Sequence, residues 1–295
     1  MISKMNMDDR KNSVIAVGNF DGFHFGHRKI VATLKEIAAR EHLLSHIVTF
    51  TPNPRLYFKK EKHLIFTDVQ KKKILTGQSI DRVIFINFNE IAHIQADDFI
   101  KDFLIGKFGM KYIVVGDNFQ FGRDRKGNIE FLEETAGKFD FKLRVVEPVL
   151  LNGVRVSSSH IRERLARGEF EEANALLGRL YCIEGCIIEG DKMGRELGFP
   201  TINVKTDNLL LPEGVFKSKV EIDHETFAAI TNIGWRPTFS GMEKRVEAHL
   251  FEFDRVVYGK EVKIYFESKL RDEIKFASKD NLIVQIKKDI ENLRI

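Results

Sequence analysis

The sequence predicts two domains of different fold class: an α/β domain on a doubly wound parallel sheet, followed by a small antiparallel β-barrel that ends in a helix. Apolar strands alternate with amphipathic helices through the first half, and near Gly178 this pattern gives way to one strand after another. A chain of 295 residues with 43% hydrophobic content is also long enough for two cores. We expect the domains at residues 1–180 and 181–295, with the boundary between residues 178 and 184.

In the first domain, short apolar runs predict five strands, separated by helices. The strands are expected at 13–20, 46–50, 82–88, 112–115 and 141–146, and helices are expected between them, including one from about Ala96 and one near Phe131. This alternation implies right-handed crossovers and a parallel sheet, whose ligand lies beyond the carboxyl ends of the strands.

In the second domain, short-period apolar patterns predict strands with few helices between them. A short helix over 170–177 precedes strands at 181–189, 215–222, 245–253 and 261–266, and a last helix is expected over 278–292. This succession is typical of a small antiparallel barrel.

Composition narrows the class of protein. No apolar stretch approaches the ~20 residues that cross a bilayer, and the polar start of the chain lacks the apolar region of a signal peptide. We therefore expect a cytoplasmic protein that does not act at a membrane. The net charge is +4, and residues 1–150 hold 24 basic and 19 acidic side chains, a bias that suits a small polyphosphate ligand better than a nucleic acid.

Two further features have simple interpretations. The lysines at 71–73 are expected on the solvated face of a helix that Asp68 caps, and the inward side chains of that helix are expected to be Val69, Ile74 and Leu75. Cys182 and Cys186 fall on the same face of one strand. We expect two reduced, partly buried thiols; the alternatives are a disulfide or half of a metal site, but no second ligand pair has zinc spacing.

A glycine-rich turn with two histidines follows the first strand directly. Glycines let the backbone approach a phosphate, a helix N-terminus presents free N–H groups, and imidazoles add donors that can become cationic. The chain has neither a P-loop nor a G-x-G-x-x-G fingerprint. We predict catalytic roles for His24 and His27, and substrate contacts from Gly18, Phe20, Asp21, Gly22 and Gly26.

Three other segments follow strand ends or open a helix, and each carries groups suited to a nucleotide. Prolines stiffen the first, two aromatic rings in the second suit stacking on a planar ring of a ligand, and hydroxyls cluster at the helix start in the third. Ordinary loop packing or capping is the alternative for each. The predicted substrate-binding residues are Asn53 and Arg55, then Asp117, Phe119, Phe121 and Arg125, then Ser157, Ser158, Ser159 and Arg162.

The second domain contains a glycine-rich stretch over 190–203 that is unusual for a strand. Its glycines allow a loop to close over phosphates, its cations offset charge, and Thr201 with Asn203 supplies oxygen ligands suited to Mg²⁺. The predicted substrate-binding residues of this domain are Gly190, Lys192, Gly194, Arg195, Gly198, Pro200 and Arg271.

These motifs together resemble a known family. The pattern G-x-F-D-G-x-H-x-G-H over 18–27 resembles the nucleotidyltransferase superfamily, with its Rossmann-like doubly wound sheet, in the form found in bacterial FAD synthetases. The stretches T-F-x-P-x-P-R, G-x-x-F-x-F-G-x-x-R-x-G and S-S-T-x-I-R have counterparts here, with Ser159 in place of the usual threonine. The stretch over 190–203 resembles the riboflavin kinase signature G-x-x-x-G-R-x-L-G-F-P-T-x-N.

The resemblance implies a bifunctional enzyme whose barrel phosphorylates riboflavin to FMN and whose first domain adenylylates FMN to FAD. It implies riboflavin, FMN and ATP as ligands and Mg²⁺ with the ATP. It also implies Asn232 as a substrate-binding residue and Glu247 as general base for the ribityl hydroxyl. Two other functions stay open: an adenylyltransferase for another small phosphorylated substrate, with a second domain that only binds flavin, and a non-catalytic flavin-binding regulator.

Overall fold

The computed structural model describes residues 12–58, 63–190, 193–238 and 241–292. The chain forms two compact units, Met1–Lys62 with Asp68–Ser157 and His63–Thr67 with Ser158–Ile295. This division lies between Ser157 and Ser158, upstream of the boundary near residue 180 expected from the strand pattern.

The first unit is built on a five-stranded parallel sheet of order β3-β2-β1-β4-β5. The strands are β1 Ser13–Val17, β2 Leu44–Thr51, β3 Arg82–Asn87, β4 Met110–Gly116 and β5 Lys142–Val146. All five residues of β1 are buried, as a central strand covered on both faces requires. The doubly wound sheet predicted from the sequence is confirmed.

Helices connect these strands: α1 Phe25–Glu41, α2 Pro54–Tyr57, α3 Asp68–Thr76, α4 Phe88–Ile91, α5 Ala96–Asp98, α6 Gly106–Phe108 and α7 Ile129–Ala136. A π-helical stretch, Phe99–Ile105, joins α5 to α6, and a 3-10 turn, Arg123–Arg125, precedes α7. A two-stranded hairpin of β6 Leu150–Leu151 and β7 Val154–Arg155 ends the unit.

Helix α3 presents different side chains to the interior than expected. Lys71 is 3% exposed and Val69 is 61% exposed, whereas Leu75 is buried as predicted. The expectation for Lys71 and Val69 was therefore wrong; the other two lysines are exposed as predicted. The cause is a backbone acceptor inside the unit: the Lys71 ammonium donates a hydrogen bond to the carbonyl of Phe50.

The second unit contains a closed barrel of order β10-β11-β12-β9-β8-β13. Its strands are β8 Tyr181–Ile188, β9 Ile202–Thr206, β10 Gly214–Ile222, β11 Glu225–Thr238, β12 Gly241–Leu250 and β13 Glu261–Arg271. All pair antiparallel, which confirms the predicted barrel. Strands β9 and β11 were not identified from the pattern, because glycines and prolines interrupt or precede their apolar runs.

The helices of this unit, among the residues that the structure describes, are α8 Ser158–Ala166, α9 Phe170–Leu177, the short α10 Met193–Glu196 and the C-terminal α11 Lys279–Glu291. Helix α9 packs on the barrel. Phe170 stacks on Phe266 at 4.6 Å between ring centroids, and Asn174 accepts a hydrogen bond from the Tyr181 amide at 2.6 Å while donating to the Phe266 carbonyl at 2.9 Å. These contacts place α9 in the compact unit of the barrel.

Both cysteines are free thiols on β8. Burial raises the pKa of the Cys182 thiol to about 12, so this side chain stays protonated and unreactive at neutral pH. In the part of the chain that the structure describes, no helix has both the length and the apolar character to cross a bilayer.

Candidate active sites

The paired histidines lie where β1 passes into α1. His24 is the N-cap of α1 in extended conformation, and His27 is the third residue of the helix. Their rings stack with centroids 3.8 Å apart and planes 19° apart. Two imidazoles therefore lie against one another at the positive end of a 17-residue helix, where an anion is favoured.

The turn that carries these histidines has an unusual backbone. Phe20, Gly22 and Phe23 have positive φ values of 49°, 84° and 39°. Such angles are uncommon for phenylalanine and persist where the surroundings hold them, and both rings are buried. A Cβ on Gly26 would come within 3.1 Å of the His24 ring, so glycine at this position lets the imidazole pack against the helix start.

The predicted site residues of this turn are mostly enclosed. Asp21 is 4% and His24 is 5% exposed, while Gly18, Gly26 and His27 are half-buried. The His27 ring also makes an edge contact with Phe20 at 5.3 Å. The imidazoles are thus held in position by packing within the turn.

The second predicted loop leaves the end of β2. Asn53 is 2% exposed, and its side chain accepts a hydrogen bond from the Arg55 amide at 3.1 Å, so it caps α2. Because β1 and β2 are parallel neighbours, their carboxyl ends lie side by side. The Asn53 loop and the histidine turn therefore leave the same edge of the sheet.

The third predicted loop combines an ion pair with aromatic packing. Asp117 pairs with Arg155 at 2.5 Å, a partner that the sequence did not indicate. Phe121 is 7% exposed within the core, and Phe119 stacks on it at 5.3 Å while staying half-buried. Of the two rings predicted to stack on a ligand, Phe119 is the more accessible. Arg125 is exposed and has a positive φ of 59°.

The hydroxyl cluster spans the division between the two units. Ser157 ends the first unit, and α8 begins at Ser158 in the second. Arg162 is 4% exposed, and its guanidinium donates to the Ser159 hydroxyl at 3.2 Å. The helix start predicted here is confirmed; the ligand of these residues stays a prediction.

In the barrel, three predicted residues lie side by side on adjacent strands. Glu247 on β12 is the register partner of Asn232 on β11 and of Asn203 on β9. Directly opposite residues of antiparallel strands have Cβ atoms ~5 Å apart, so the carboxylate lies between two amides. All three side chains are half-buried, which leaves them open to a ligand.

The glycine-rich stretch folds back on the proposed metal ligands. A Cβ on Gly190 would lie 2.1 Å from Nδ2 of Asn203, and one on Gly194 would lie 2.5 Å from the Phe199 carbonyl oxygen and 3.2 Å from Oγ1 of Thr201. Only glycine allows these approaches. Helix α10 includes the backbone of Arg195, Gly198 has a positive φ of 84°, and Lys192 lies outside the described residues.

His249 is a neighbour of this site that the sequence analysis did not name as functional. Its Nδ1–H donates to the Pro200 carbonyl at 2.8 Å, and its ring meets Phe199 edge-on at 5.8 Å. Two residues after Glu247 on the same strand, it faces the same side of the sheet. The alternation Glu247, Ala248, His249 was the available signal.

Arg271 is engaged by the C-terminal helix. Its guanidinium pairs with Asp289 at 2.9 Å, and Asp289 is 5% exposed. Gln285 also donates to that carboxylate at 2.8 Å. This arrangement anchors α11 to the end of β13. Arg271 therefore has a structural role in addition to its predicted contact with the substrate.

The donor set of the barrel site fits a hard divalent cation. Thr201 and Asn203 offer neutral oxygens, and Asn203 is paired across the strands with the Glu247 carboxylate. Within the described ranges, no group of three or more His, Cys, Asp or Glu side chains is arranged to hold a metal. Mg²⁺ commonly needs only one or two protein ligands, because substrate phosphates and waters complete its shell.

Comparison with known proteins covers almost all of the chain. A family model described as FAD synthetase matches residues 6–160, and one described as riboflavin kinase matches residues 177–295. A crystal structure described as a macrolide-efflux protein from Streptococcus pneumoniae superimposes with a TM-score of 0.87 at 29% identity, covering 96% of this chain and 94% of that one. That structure therefore has the same fold as this chain.

Curated relatives of similar length have one name, bifunctional riboflavin kinase/FMN adenylyltransferase. The protein of Buchnera aphidicola from Schizaphis graminum is 37% identical over 95% of this chain and 92% of its own length. Those of Bacillus subtilis and Escherichia coli K12 are 36% and 32% identical, over 96% and 98% of this chain and 92% and 94% of their own. With both family models matched in order, the chain belongs to the family of bifunctional riboflavin kinase/FMN adenylyltransferases.

Proposed function

We propose that the two activities of this family are divided between the two sites described above. FMN is adenylylated at the histidine turn of the first domain, residues 1–180, and riboflavin is phosphorylated beside Glu247 in the second, residues 181–295. The observation that carries the first assignment is the stacked pair His24 and His27 at the N-terminus of α1. Because both reactions consume ATP, we place the protein in the cytoplasm.

In the adenylyl transfer, an oxygen of the FMN phosphate attacks the α-phosphorus of ATP. The new P–O bond forms as the bond between the α-phosphorus and the bridging oxygen breaks, and pyrophosphate leaves. The nucleophile is already anionic, so the site needs no covalent intermediate. His24, His27 and the N–H groups at the start of α1 stabilise charge on the reacting phosphates, and the glycine turn aligns them.

In the kinase reaction, the terminal ribityl hydroxyl of riboflavin attacks the γ-phosphorus of ATP and ADP leaves. Glu247 accepts the hydroxyl proton, and Asn232 and Asn203 on either side hold the hydroxyl and carboxylate in place. Gly190 and Gly194 let the loop approach the phosphates closely.

Thr201 and Asn203 are the residues that would hold Mg²⁺ with the ATP. Such an ion neutralises developing charge on the phosphates. His249 supports this arrangement, since its hydrogen bond to the Pro200 carbonyl holds the residue directly before Thr201.

The assignment is tested by His27→Ala, with His93→Ala as control, because His93 is exposed on the same domain. Protein, riboflavin, ATP and Mg²⁺ are mixed and the products separated by chromatography. We expect His27→Ala to make FMN at the normal rate and to make FAD slowly, whereas His93→Ala makes both. FAD formation at the original rate would contradict the role of the histidine turn. Loss of both activities would point to misfolding and call for His27→Asn, which is smaller but keeps a polar group.

A further inference from the structure

Lys71 is a buried cation that the reaction described above does not use. It lies on α3, its side chain is 4% exposed, and its ammonium lies 2.5 Å from the Phe50 carbonyl oxygen and 3.3 Å from Oδ1 of Asp68. Lysine is almost never fully buried unless it is paired, because removing its charge from water is costly. Its burial here therefore calls for a specific reason.

The position of the Phe50 carbonyl explains why the Lys71 side chain is buried. Strand β2 runs three residues beyond Val48, the last residue in register with β1, and the Gly18 amide donates to the Val48 carbonyl at 3.1 Å. Alternate carbonyls of a strand point the same way, so the Phe50 carbonyl points to the side of β1, beyond the point where β1 has ended. The Lys71 ammonium supplies a donor there.

The same ammonium interacts with the histidine turn. Burial lowers the pKa of Lys71, and the negative charges of Asp68 and Asp21 oppose that change. Asp21 is itself 4% exposed and lies three residues before His24 in the turn. The cation thus contacts the end of β2 and is attracted by a carboxylate of the turn that presents the imidazoles.

We infer that Lys71 is a positioning residue for adenylyl transfer, which fixes the histidine turn relative to the loop that leaves β2. Its contact with the Phe50 carbonyl anchors the strand end just before the Asn53 loop, and its charge attracts the carboxylate of Asp21. The inference rests on the proposed function, since it assumes that the chemistry takes place at the histidine turn. A shift of these loops relative to one another would misalign the FMN phosphate and the α-phosphorus of ATP.

The test compares Lys71→Met and Lys71→Arg with Lys72→Met, a control at the next, exposed residue of the same helix. Methionine keeps the length of the side chain and removes its charge and donors. We expect Lys71→Met to lower kcat for FMN adenylylation by about a hundredfold, the cost of a misplacement of ~1 Å, and to change KM for ATP and FMN little. Lys71→Arg restores part of kcat, because guanidinium brings back charge and N–H donors.

Each variant is also assayed for riboflavin phosphorylation and melted by circular dichroism. Normal kinase activity and a folded protein at the assay temperature, with the loss confined to adenylylation kcat, support the inference. Wild-type kcat in Lys71→Met, no recovery in Lys71→Arg, or unfolding of Lys71→Met at the assay temperature overturns it, because Lys71 then only supports the fold or does nothing. His27→Ala is run in parallel: if it keeps full adenylylation, the proposed site is wrong, which is a different result from failure of Lys71 alone.

Discussion

Glu247 and Asn203 are direct cross-strand partners on β12 and β9, although 44 residues separate them in the chain. Strand pairing therefore joins the candidate base to a candidate metal ligand with no intervening side chain. The kinase proposal depends on this geometry, because a general base must reach the hydroxyl that attacks the γ-phosphorus of ATP.

Glu247→Gln is expected to suppress FMN formation and to spare FAD synthesis from supplied FMN. Glutamine keeps the size and a hydrogen-bonding group but removes the basic carboxylate, so the loss should be ~10²–10⁴-fold, as is typical of a general base. Rates are measured with saturating riboflavin and ATP. Glu243→Gln, at an exposed position on the same strand, is the control. An unimpaired kinase rate in Glu247→Gln would exclude Glu247 as the base.

Gly190→Ala tests the oxygen ligands. The added Cβ would lie 2.1 Å from Nδ2 and 2.9 Å from Oδ1 of Asn203, so the amide must move while the fold persists. We expect the Mg²⁺ concentration for half-maximal kinase activity to rise by about tenfold or more, as for other residues that orient a metal ligand. Gly137→Ala is the control, since a Cβ there has no neighbour within 4 Å. An unchanged Mg²⁺ dependence would argue against Asn203 as a ligand.

The packing of α9 predicts where the kinase domain can be cut. Phe170 is 1% exposed and contacts Phe266, Phe216 and Tyr181 at 4.6, 5.0 and 5.8 Å. Losing such a ring costs about 3–5 kcal/mol. We expect fragments 158–295 and 181–295 both to make FMN, with a lower melting temperature for the shorter one. Equal melting temperatures would show that α9 contributes little to the barrel.

Because of the environment of His46, we expect the stability of the first domain to fall in mild acid. It is fully buried on β2 with neither ring nitrogen hydrogen-bonded, and burial lowers its pKa, an effect that the charge of Asp81 opposes only in part. The unfolded chain then binds a proton near its ordinary pKa of ~6.5 while the folded domain does not. Stability is therefore complete above that pH and declines as the pH falls through it.

The measurement is the melting temperature between pH ~7 and ~5, around the ordinary histidine pKa. We expect His46→Leu to reduce this decline, because leucine fills the same space without a titratable group, and the exposed His93→Leu to leave it unchanged. An identical pH dependence in wild type and His46→Leu would contradict this assignment.

Local patterns were sufficient to predict both folds, whereas the functional roles of the candidate site residues stay predictions. The spacing of apolar residues along strands and helices identified the parallel sheet and the barrel, because the number of buried faces of an element determines that spacing. The helices over 170–177 and 278–292 matched the observed ones closely, because each has a clear apolar face and a polar or glycine boundary. The motif of residues 18–27 specifies a local conformation, a turn between a strand and a helix. Its sequence was therefore enough to predict that the two histidines lie at a helix start.

Contacts between residues that are far apart in the sequence could be identified only from the tertiary structure. The register of β9, β11 and β12 brings Asn203, Asn232 and Glu247 together, and a shift of one residue would turn their side chains to the opposite face. In the sequence, Lys71 looks like an ordinary surface lysine. In the structure it is buried, because β2 extends beyond the end of β1 and the Phe50 carbonyl accepts its hydrogen bond from the Lys71 ammonium. The spacing of residues in the sequence cannot predict this hydrogen bond, because the carbonyl lacks a strand partner only when two strands from separate parts of the chain end at different heights in one sheet.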